Sequence, residues 1–396
     1  MNLVLFLTIG TILTIVLGEF GKFPFGSVGN SVHILDITTA LTVVFFLIWK
    51  VAIKQDLSFF GIQKWLLIFT LIGLLSLLLN QNFAGAMYLV RFSLYSLFFC
   101  IAYTLVSMDK KWKDYLENTI ITVGCIGIIT GFIQLIFYPN LTFLSIYGYD
   151  PHINRLAGTF LDPNFLGAFL TMAYCLTLIR CLRSADKKLI ALLMLFTIAI
   201  ILTFSRSAWL MFLIVNLFAI WFLPKKIIAG IIIVGLLSVI LIPRVQNRLM
   251  GALSIDISAS ERFTSWDKGL KIFNMNPVYG IGYNNIRSVS IENNLLKTFT
   301  VDGGNSGSGV DSSWLVILAT TGILGGIAFG YWYLKLIVIF LKQFLLKKNR
   351  DFLILGGLLM AFFVNSQFIN SLFYPPMMIS FFLITGMYYY EVVFKK

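Results

Sequence analysis

Charge is scarce in this sequence. Only 12% of the 396 residues are Asp, Glu, Lys or Arg, whereas 59% are hydrophobic, and the mean hydropathy is +0.90. A soluble domain with this composition would have to expose large apolar surfaces to water. The shortage of charge therefore excludes the ordinary soluble classes and predicts a polytopic, all-α integral membrane protein.

Paired cysteines and acidic metal motifs are also lacking. The four cysteines lie in or beside apolar runs and show no CxxC spacing; they are Cys100, Cys125, Cys175 and Cys181. The long polar segments contain no Asp-x-Asp motif. The cysteine pattern therefore implies neither a disulfide framework nor a zinc site. We accordingly predict no metal ion and no other cofactor.

The net charge of +13 comes mostly from Lys and Arg residues in the connectors between apolar runs. That distribution follows the positive-inside rule of membrane proteins and argues against a nucleic-acid partner. The N-terminus has neither a basic n-region nor a small-residue cleavage site, so it is predicted to be a retained first span.

Apolar runs long enough to cross roughly 30 Å of hydrocarbon predict one membrane domain over residues 1–396 with about twelve transmembrane helices. The predicted spans are 2–18, 33–53, 65–80, 84–107, 118–138, 163–180, 188–204, 206–223, 226–243, 313–342, 352–372 and 376–394. Every second connector is basic, so both termini are predicted to be cytoplasmic. The polar segments 139–162 and 244–312 and Arg206 then share the external side.

The first external segment ends like the start of a helix. Asp162 has the position of an N-cap and Pro163 that of the first helical residue, so free backbone N–H groups there favour an anion. Arg155 could add a fork of donors, and His152 is a candidate base. The simpler alternative is a capped helix with an interfacial arginine and a surface histidine.

Arg206 is predicted at the N-terminus of the eighth span. The helix dipole opposes a cation there, typically by about 0.3 to 1 kcal/mol. Arg206 therefore needs either an acidic side chain or a bound polyanion that also takes the free N–H groups of the helix. A guanidinium that extends to the lipid headgroups is the structural alternative.

The large external segment contains an amphipathic stretch on which Arg262 and Trp266 are four residues apart and share one side. That arrangement suits a diphosphate held by the arginine and a sugar ring stacked on the tryptophan, whereas the alternative is an interfacial anchor helix without a ligand. Asp311 opens the tenth span, where its simplest role is that of N-cap.

Arg91 is the charge predicted midway along a span. Burying it costs about 2.5 to 3.5 kcal/mol, so it should face the bundle beside a polar cavity or a lipid headgroup. Pairing with the intramembrane Asp36 is the competing structural interpretation.

In their order and common external placement, these landmarks resemble the O-antigen ligase and polysaccharide polymerase family of bacterial membrane glycosyltransferases. The resemblance runs from about Arg155 to the end of the tenth span. The motifs that carry it are Arg155-Leu-Ala-Gly-Thr-Phe with Asp-Pro-Asn164, Thr-Phe-Ser-Arg206-Ser-Ala, Arg262-Phe-Thr-Ser-Trp266 with Asn-Pro277-Val-Tyr-Gly-Ile-Gly282, and Asp311-Ser-Ser-Trp-Leu with Thr-Gly322-Ile-Leu-Gly325.

The resemblance implies that Arg206 and Arg262 bind the lipid diphosphate. Ligases of this family usually have a histidine as the catalytic base where this chain has Asp311, a departure that favours a polymerase. Asp311 is therefore the first candidate base and His152 the second. The remaining substrate-binding candidates are Arg155, Arg91, Trp266 and Asn164.

The resulting hypothesis is a GT-C-like, inverting and metal-independent polymerase in the bacterial cytoplasmic membrane, with its active site facing outward. Its substrates would be two undecaprenyl-diphosphate-linked glycans, and a chain-length regulator and a flippase would be partners. A ligase that transfers glycan to another acceptor is the first alternative. A polysaccharide flippase or transporter is the second, and it should show repeat-related halves and broken helices with charge at the membrane midplane.

Overall fold

The computed structural model describes residues 1–24, 31–54, 61–184, 186–253, 257–296 and 309–394. These residues are mostly helical, and one antiparallel hairpin pairs β1 (Lys22–Pro24) with β2 (Ser31–His33). The α-helices are α1 Asn2–Thr14, α2 Ile34–Ala52, α3 Lys64–Asn80, α4 Ala86–Met108, α5 Lys111–Phe137, α6 Pro163–Ser184, α7 Lys187–Leu202, α8 Arg206–Ala219, α9 Lys225–Leu241, α10 Pro243–Leu253, α11 Ile257–Met275, α12 Ile286–Glu292, α13 Ser313–Lys347, α14 Arg350–Asn365 and α15 Pro375–Phe394. Short 3-10 segments are Ile15–Gly21, Thr142–Tyr147, Gly158–Phe160, Ile220–Phe222 and Ser371–Phe373.

Seven helical runs in the described part of the chain are long and apolar enough to cross a membrane, and the bent pair α9 and α10 would make an eighth. The seven are Asn2–Gly21, Ile34–Ala52, Ala86–Met108, Lys111–Phe137, Pro163–Ser184, Ser313–Lys347 and Pro375–Val393. The predicted all-α membrane architecture is confirmed. The count of twelve is not confirmed, because α3, α7, α8 and α14 contain only 17, 16, 14 and 16 residues, fewer than the roughly 20 that a full crossing needs.

The core is built around α6, the most buried of these seven runs. α6 contacts α5, α7, α8 and α14, and α4 and α15 pack against each other along their length. The side chains of α6 are buried almost all round, including Phe169, Tyr174 and Leu178. A helix that is apolar on every face can be buried in this way. Burial on all sides therefore fixes the position of α6 within the bundle.

The prediction for segment 244–312 implied that α9 is followed by a loop. Instead, α9 turns by 96° into α10. Ile242 has an extended backbone (φ −115°, ψ 98°), which is the conformation that a following proline favours. Pro243 then begins α10, on which Val245 is buried while Leu249 and Met250 are exposed. The large polar segment therefore opens with a helix that crosses the direction of the preceding span.

α13 is interrupted at Gly322, which has φ +65°. The N–H of Ile323 donates to the carbonyl of Pro277 at 2.8 Å, and the N–H of Ile281 donates to the carbonyl of Ala319 at 3.0 Å. A Cβ at Gly322 would lie 2.2 Å from the carbonyl oxygen of the residue after Pro277. A broken helix was expected of a transporter, but here the backbone groups freed by the break bind a loop of the same chain, as buried backbone must.

A group of charged side chains, the basal cluster, joins the start of α5 to the end of α6, the start of α14 and the end of α15. It consists of Lys113, Glu117, Arg183, Asp351 and Glu391. Lys113 Nζ lies 2.6 Å from Glu391 Oε1, and Arg183 Nη2 lies 2.8 Å from Asp351 Oδ2. Glu117 is completely buried, with Arg183 Nη1 at 3.6 Å. The basal cluster thus links four helix ends by opposite charges.

Candidate functional site

Polar groups from three parts of the chain meet at the end of the bundle where α6 and α8 begin. Arg155 Nε donates to the carbonyl of Thr203 at 2.9 Å, and Arg206 Nη1 donates to the carbonyl of Gly251 at 2.6 Å. Arg244 Nη1 donates to the carbonyl of the residue before Arg155 at 3.2 Å. The two long polar segments and the turn between α7 and α8 therefore form one continuous site.

The start of α6 has the predicted capping arrangement. Asp162 Oδ1 accepts from the backbone N–H of Asn164 at 2.6 Å, and Pro163 is the first helical residue. The side-chain Oδ1 of Asn164 accepts from Ser205 Oγ at 2.8 Å and from Arg155 Nη2 at 3.2 Å. Asn164 thereby connects the start of α6 with Arg155 and with the cap of α8.

Arg155 is buried, and all its hydrogen-bond acceptors in the described part of the chain are uncharged. Besides Asn164 they are the carbonyls of Thr203 and Phe204 and, at 3.4 Å, Nδ1 of His152. Four hydrogen bonds fix the plane of the guanidinium, but no carboxylate contacts it. A buried cation with only neutral acceptors is an electrostatic cost that a bound anion would offset.

Other arginines surround this buried guanidinium. Burial lowers the pKa of Arg155, Asp162 raises it, and Arg248, Arg244 and Arg262 lower it further. An arginine side chain keeps its proton in proteins, so the lowered pKa reports first the burial of this charge and then repulsion by the neighbouring cations. The site thus concentrates positive charge, which is the electrostatic requirement for holding a diphosphate.

Arg206 lies where the sequence places it, as the first residue of α8. The N-cap is Ser205, whose Oγ accepts from the N–H of Ala208 at 3.4 Å. The hydrogen bond from Arg206 to Gly251 ties this helix start to α10. Arg206 is only partly buried, so its guanidinium can reach a ligand at the helix N-terminus.

His152 lies beside Asp150 and Asp162, and the potential ligand atoms of these three residues are all within 4.8 Å of one another. Carboxylate and imidazole are donor types that divalent metals accept. Burial and then Arg155 lower the pKa of His152 to about 4, so its imidazole is neutral at neutral pH. Two further guanidinium groups, on Arg248 and Arg244, also lower this pKa. Positive charge on this scale opposes a metal ion at these three residues.

Asp311 lies immediately before α13, and the alternative that it caps this helix is wrong. The cap is Ser312, whose Oγ accepts from the N–H of Leu315 at 3.3 Å. Burial and the nearby Asp150 raise the pKa of Asp311 to about 6, against an opposing effect of Arg262. A carboxylate with this pKa is ionised at neutral pH and is a stronger base than an exposed one, as general-base catalysis requires.

Arg262 and Trp266 share one side of α11, as predicted. The guanidinium of Arg262 lies 6.0 Å from the ring centroid of Phe368, and the ring of Trp266 lies 5.9 Å from the same phenyl group. Trp266 Nε1 also donates to the backbone carbonyl of Asp311 at 3.1 Å. The amphipathic helix therefore packs on the connection between α14 and α15 and touches the candidate base.

Arg91 is not brought to this site by any contact in the described residues. Its Nη2 lies 2.6 Å from Asp36 Oδ2 and donates to the carbonyl of Ser31 at 2.7 Å. Asp36 also accepts from the hydroxyl of Tyr95 at 2.9 Å. The structural interpretation, in which Arg91 pairs with the intramembrane acid, therefore describes the geometry that is observed.

Two residues that reasoning from the sequence left without a role belong to the site. Arg244 and Arg248 are half-buried on α10, and both lower the pKa of His152 and of Arg155. The sequence does contain a pattern that could have identified them. A proline can begin a helix, and two residues four apart share one face of it, so Arg244 and Arg248 directly after Pro243 could have been placed together.

Comparison with known families gives a match for part of the chain. Residues 190–330 match the family model described as O-antigen ligase, and the chain matches no curated protein. The matched range contains Arg206, Arg262 and Asp311, whereas Arg155 lies before it. Residues 190–330 are therefore similar to the O-antigen ligase family, which is the family that the motifs of this sequence resemble.

Proposed function

We propose that this protein is a polysaccharide polymerase that acts at the outer face of the bacterial cytoplasmic membrane. It takes a glycan from one undecaprenyl diphosphate carrier and joins it to the non-reducing end of a repeat unit on a second carrier. A flippase that delivers these substrates and a chain-length regulator are partners in this proposal. Cleavage of the donor leaves undecaprenyl diphosphate as the second product.

One observation carries the proposal. A carboxylate with a pKa of about 6 and a concentration of arginines occupy the same end of the bundle. Within the described ranges, the buried Arg155 donates only to uncharged acceptors. A diphosphate would provide the missing negative charge. The transfer of a sugar from a diphosphate needs these two elements, a base for the acceptor and cations for the leaving group.

In the proposed reaction Asp311 accepts the proton of the acceptor hydroxyl. The acceptor oxygen attacks the anomeric carbon of the donor from the face opposite the diphosphate, a new glycosidic bond forms, and the bond to the diphosphate oxygen breaks. The diphosphate leaves with that electron pair, and the configuration at the anomeric carbon is inverted. Arg206 and Arg262 stabilise the leaving group, which makes a divalent ion unnecessary.

The other candidates have secondary roles. Arg155, Arg244 and Arg248 add positive charge for the donor, and Asn164 orients Arg155 through its Oδ1. His152 is a poorer base than Asp311, because its pKa of about 4 gives a weaker driving force for taking a proton. Arg91 has no part in this proposal.

A ligase is the second candidate, and the description of the matched family favours it. A ligase would use the same donor and the same arginines but a different acceptor. Purified enzyme supplied with carrier-linked donor separates the two functions by which acceptor gains sugar: a second carrier-linked repeat unit for a polymerase, or lipid A core, a protein or a wall polymer for a ligase. Translocation of the intact carrier in liposomes without transfer would instead indicate a flippase.

Polymer length in cells tests the diphosphate assignment. Arg262→Ala and Arg206→Ala should each reduce polymer formation by about 100-fold or more, since each removes a charge that is needed in the transition state. Lys271→Ala is the matched control, because this cation lies on the same helix as Arg262 but is 59% exposed and pairs with Asp267. Wild-type polymer ladders in folded, expressed Arg262→Ala and Arg206→Ala proteins would remove the assignment.

A further inference from the structure

The helix that carries Arg262 also holds the backbone of Asp311 on both sides of its Cα atom. The N–H of Asp311 donates to Ser265 Oγ at 2.8 Å, and the carbonyl of Asp311 accepts from Trp266 Nε1 at 3.1 Å. Both polar backbone groups of this one residue are therefore bound by side chains of α11. The position of its backbone, and with it the direction of its Cα–Cβ bond relative to α11, is fixed as a result.

The three residues of α11 that matter here lie on one face. Arg262, Ser265 and Trp266 have the spacing i, i+3 and i+4, which brings side chains together on a helix. One turn further along, a Cβ added at Gly269 would lie 3.0 Å from Cγ1 of Val310. α11 and the segment before α13 are thus in close contact beyond the two hydrogen bonds.

We propose that Ser265 and Trp266 are positioning residues that lock Asp311 to α11, so that the base and the diphosphate-binding Arg262 are held as one unit. This inference rests on the proposed function, in which Asp311 accepts the proton and Arg262 stabilises the leaving group. In this proposal Trp266 acts on the base through its indole N–H. The sequence had suggested a different role, in which its ring stacks on a sugar.

Fixing both groups on one element has a chemical consequence. The acceptor oxygen must lie within hydrogen-bonding distance of the base while the donor phosphate contacts the arginine. Misplacing a catalytic group by about 1 Å can cost about 100-fold in rate. Because α11 sets the position of both groups, loosening Asp311 should lower kcat and leave the affinity for the donor unchanged.

The test uses full-length enzyme and substitutions that remove one hydrogen bond each. Trp266→Phe keeps an aromatic ring and loses the N–H, and Ser265→Ala loses the acceptor oxygen. Each should reduce kcat by about 10- to 100-fold while KM for the carrier-linked donor stays within about twofold. Ser265→Thr retains the hydroxyl and should restore most of the lost kcat, which a general packing defect would not show.

A double-mutant cycle with Asp311→Asn identifies the route of the effect. Trp266→Phe should change the residual kcat of Asp311→Asn by less than about twofold, since a residue that acts through the base has no effect without it. The acid limb of the pH profile provides an independent readout. In Ser265→Ala it should move below pH 6, because a less confined Asp311 is better hydrated and its pKa falls toward 3.8.

The outcomes distinguish the two proposals. Full activity of Trp266→Phe and Ser265→Ala, with Asp311→Asn inactive, would overturn the positioning role and leave the polymerase mechanism intact. An equal loss from Trp266→Phe with and without Asp311 would also overturn it and would indicate direct contact with substrate. Wild-type activity of both Asp311→Asn and Arg262→Ala would overturn the proposed mechanism, and the positioning role with it.

Discussion

The basal cluster and the candidate site lie at opposite ends of α6, and each contains an arginine that donates several hydrogen bonds. In the basal cluster Arg183 donates from Nε at 3.0 Å and from Nη2 at 2.8 Å to the carboxylate of Asp351. In the candidate site Arg155 donates to two carbonyls, an amide oxygen and an imidazole nitrogen. Among the described residues, the Arg183 guanidinium donates to a carboxylate, whereas the Arg155 guanidinium donates only to uncharged acceptors.

This difference shows which charges serve the fold and which are available to a ligand. The basal cluster has its own carboxylates in contact with its cations, so it needs nothing from outside to be stable. At the other end, Asp162 raises the pKa of Arg155 and Asp150 raises that of His152, but in the described part of the chain the hydrogen-bond acceptors of Arg155 are all neutral. A protein that must bind and release a polyanion requires such an arrangement, since an internal salt bridge would compete with the ligand.

The largest expected effect comes from a substitution that breaks the basal cluster. Glu117→Ala should reduce the free energy of unfolding by about 3 to 5 kcal/mol, because it removes a carboxylate from beside buried Lys113 and leaves the buried hydroxyl of Tyr388 without its acceptor. Asp114→Ala, one turn earlier on α5, is the control: Asp114 is 61% exposed, and its loss should cost less than about 1 kcal/mol. Thermal unfolding in detergent measures both. Similar losses at the two positions would contradict the structural role of the basal cluster.

The next effect has the opposite sign and concerns the candidate site. Asp311→Asn should reduce transfer to a low residual rate and also stabilise the folded protein. The pKa of the Asp311 carboxyl rises from 3.8 to about 6 on folding. Ionised Asp311 therefore lowers the stability of the wild-type protein once the pH exceeds the unfolded pKa. The full cost of at most about 3 kcal/mol is reached above the folded pKa. Unfolding at about pH 8 should show the gain, and unfolding at about pH 4 should show almost none.

Asp267→Asn is the matched control for this measurement. Asp267 lies on α11, is 61% exposed and pairs with Lys271 at 2.7 Å, so its replacement should lower stability slightly at about pH 8, by less than about 0.5 kcal/mol. If the Asp311→Asn protein is instead destabilised at that pH, the fold stabilises the ionised carboxylate, as it does in the basal cluster. The contrast between the basal cluster and the candidate site would then fail at this residue.

Local features of this fold could be predicted from the sequence. Asp162 and Pro163 begin α6 as expected, and Arg206 begins α8, because a helix start depends on a few adjacent residues. Capping also explains an error: Asp311 and Ser312 can both cap a helix, and only the backbone at α13 shows that Ser312 does so. When two adjacent residues can both act as an N-cap, the sequence alone does not show which one does.

Long-range contacts could not be predicted with the same success. Arg183 and Lys113 count as positive-inside residues in the sequence, and nothing adjacent to them shows that Asp351 and Glu391 supply their counter-charges. Pairing of Arg91 with Asp36 was one of two open interpretations, because an intramembrane acid was available. The gathering of Arg155, Arg244 and Arg262 depends on how remote helix ends are packed, and hydropathy contains no information on that packing.

The smallest expected effect measures the available charge directly. Pyrophosphate should stabilise the wild-type protein by about 1.4 kcal/mol at ten times its Kd, because it binds the folded arginine site and not the unfolded chain. Arg244→Ala should weaken this stabilisation at the same concentration, since a charge-assisted hydrogen bond typically contributes about 1.5 to 3 kcal/mol. Titration at constant ionic strength, followed by thermal unfolding, provides the measurement.

Lys347→Ala, at the end of α13, is the control for this last prediction. Its ammonium group lies 3.5 Å from the backbone carbonyl of Glu391, beside the basal cluster, so its removal should leave the stabilisation by pyrophosphate unchanged. If sulfate at equal ionic strength stabilises the protein as much as pyrophosphate, the effect is general screening of a basic surface. If the Lys347→Ala and Arg244→Ala proteins lose the same stabilisation, the anion binds at both ends, and the absence of a counter-ion beside Arg155 does not mark a ligand site.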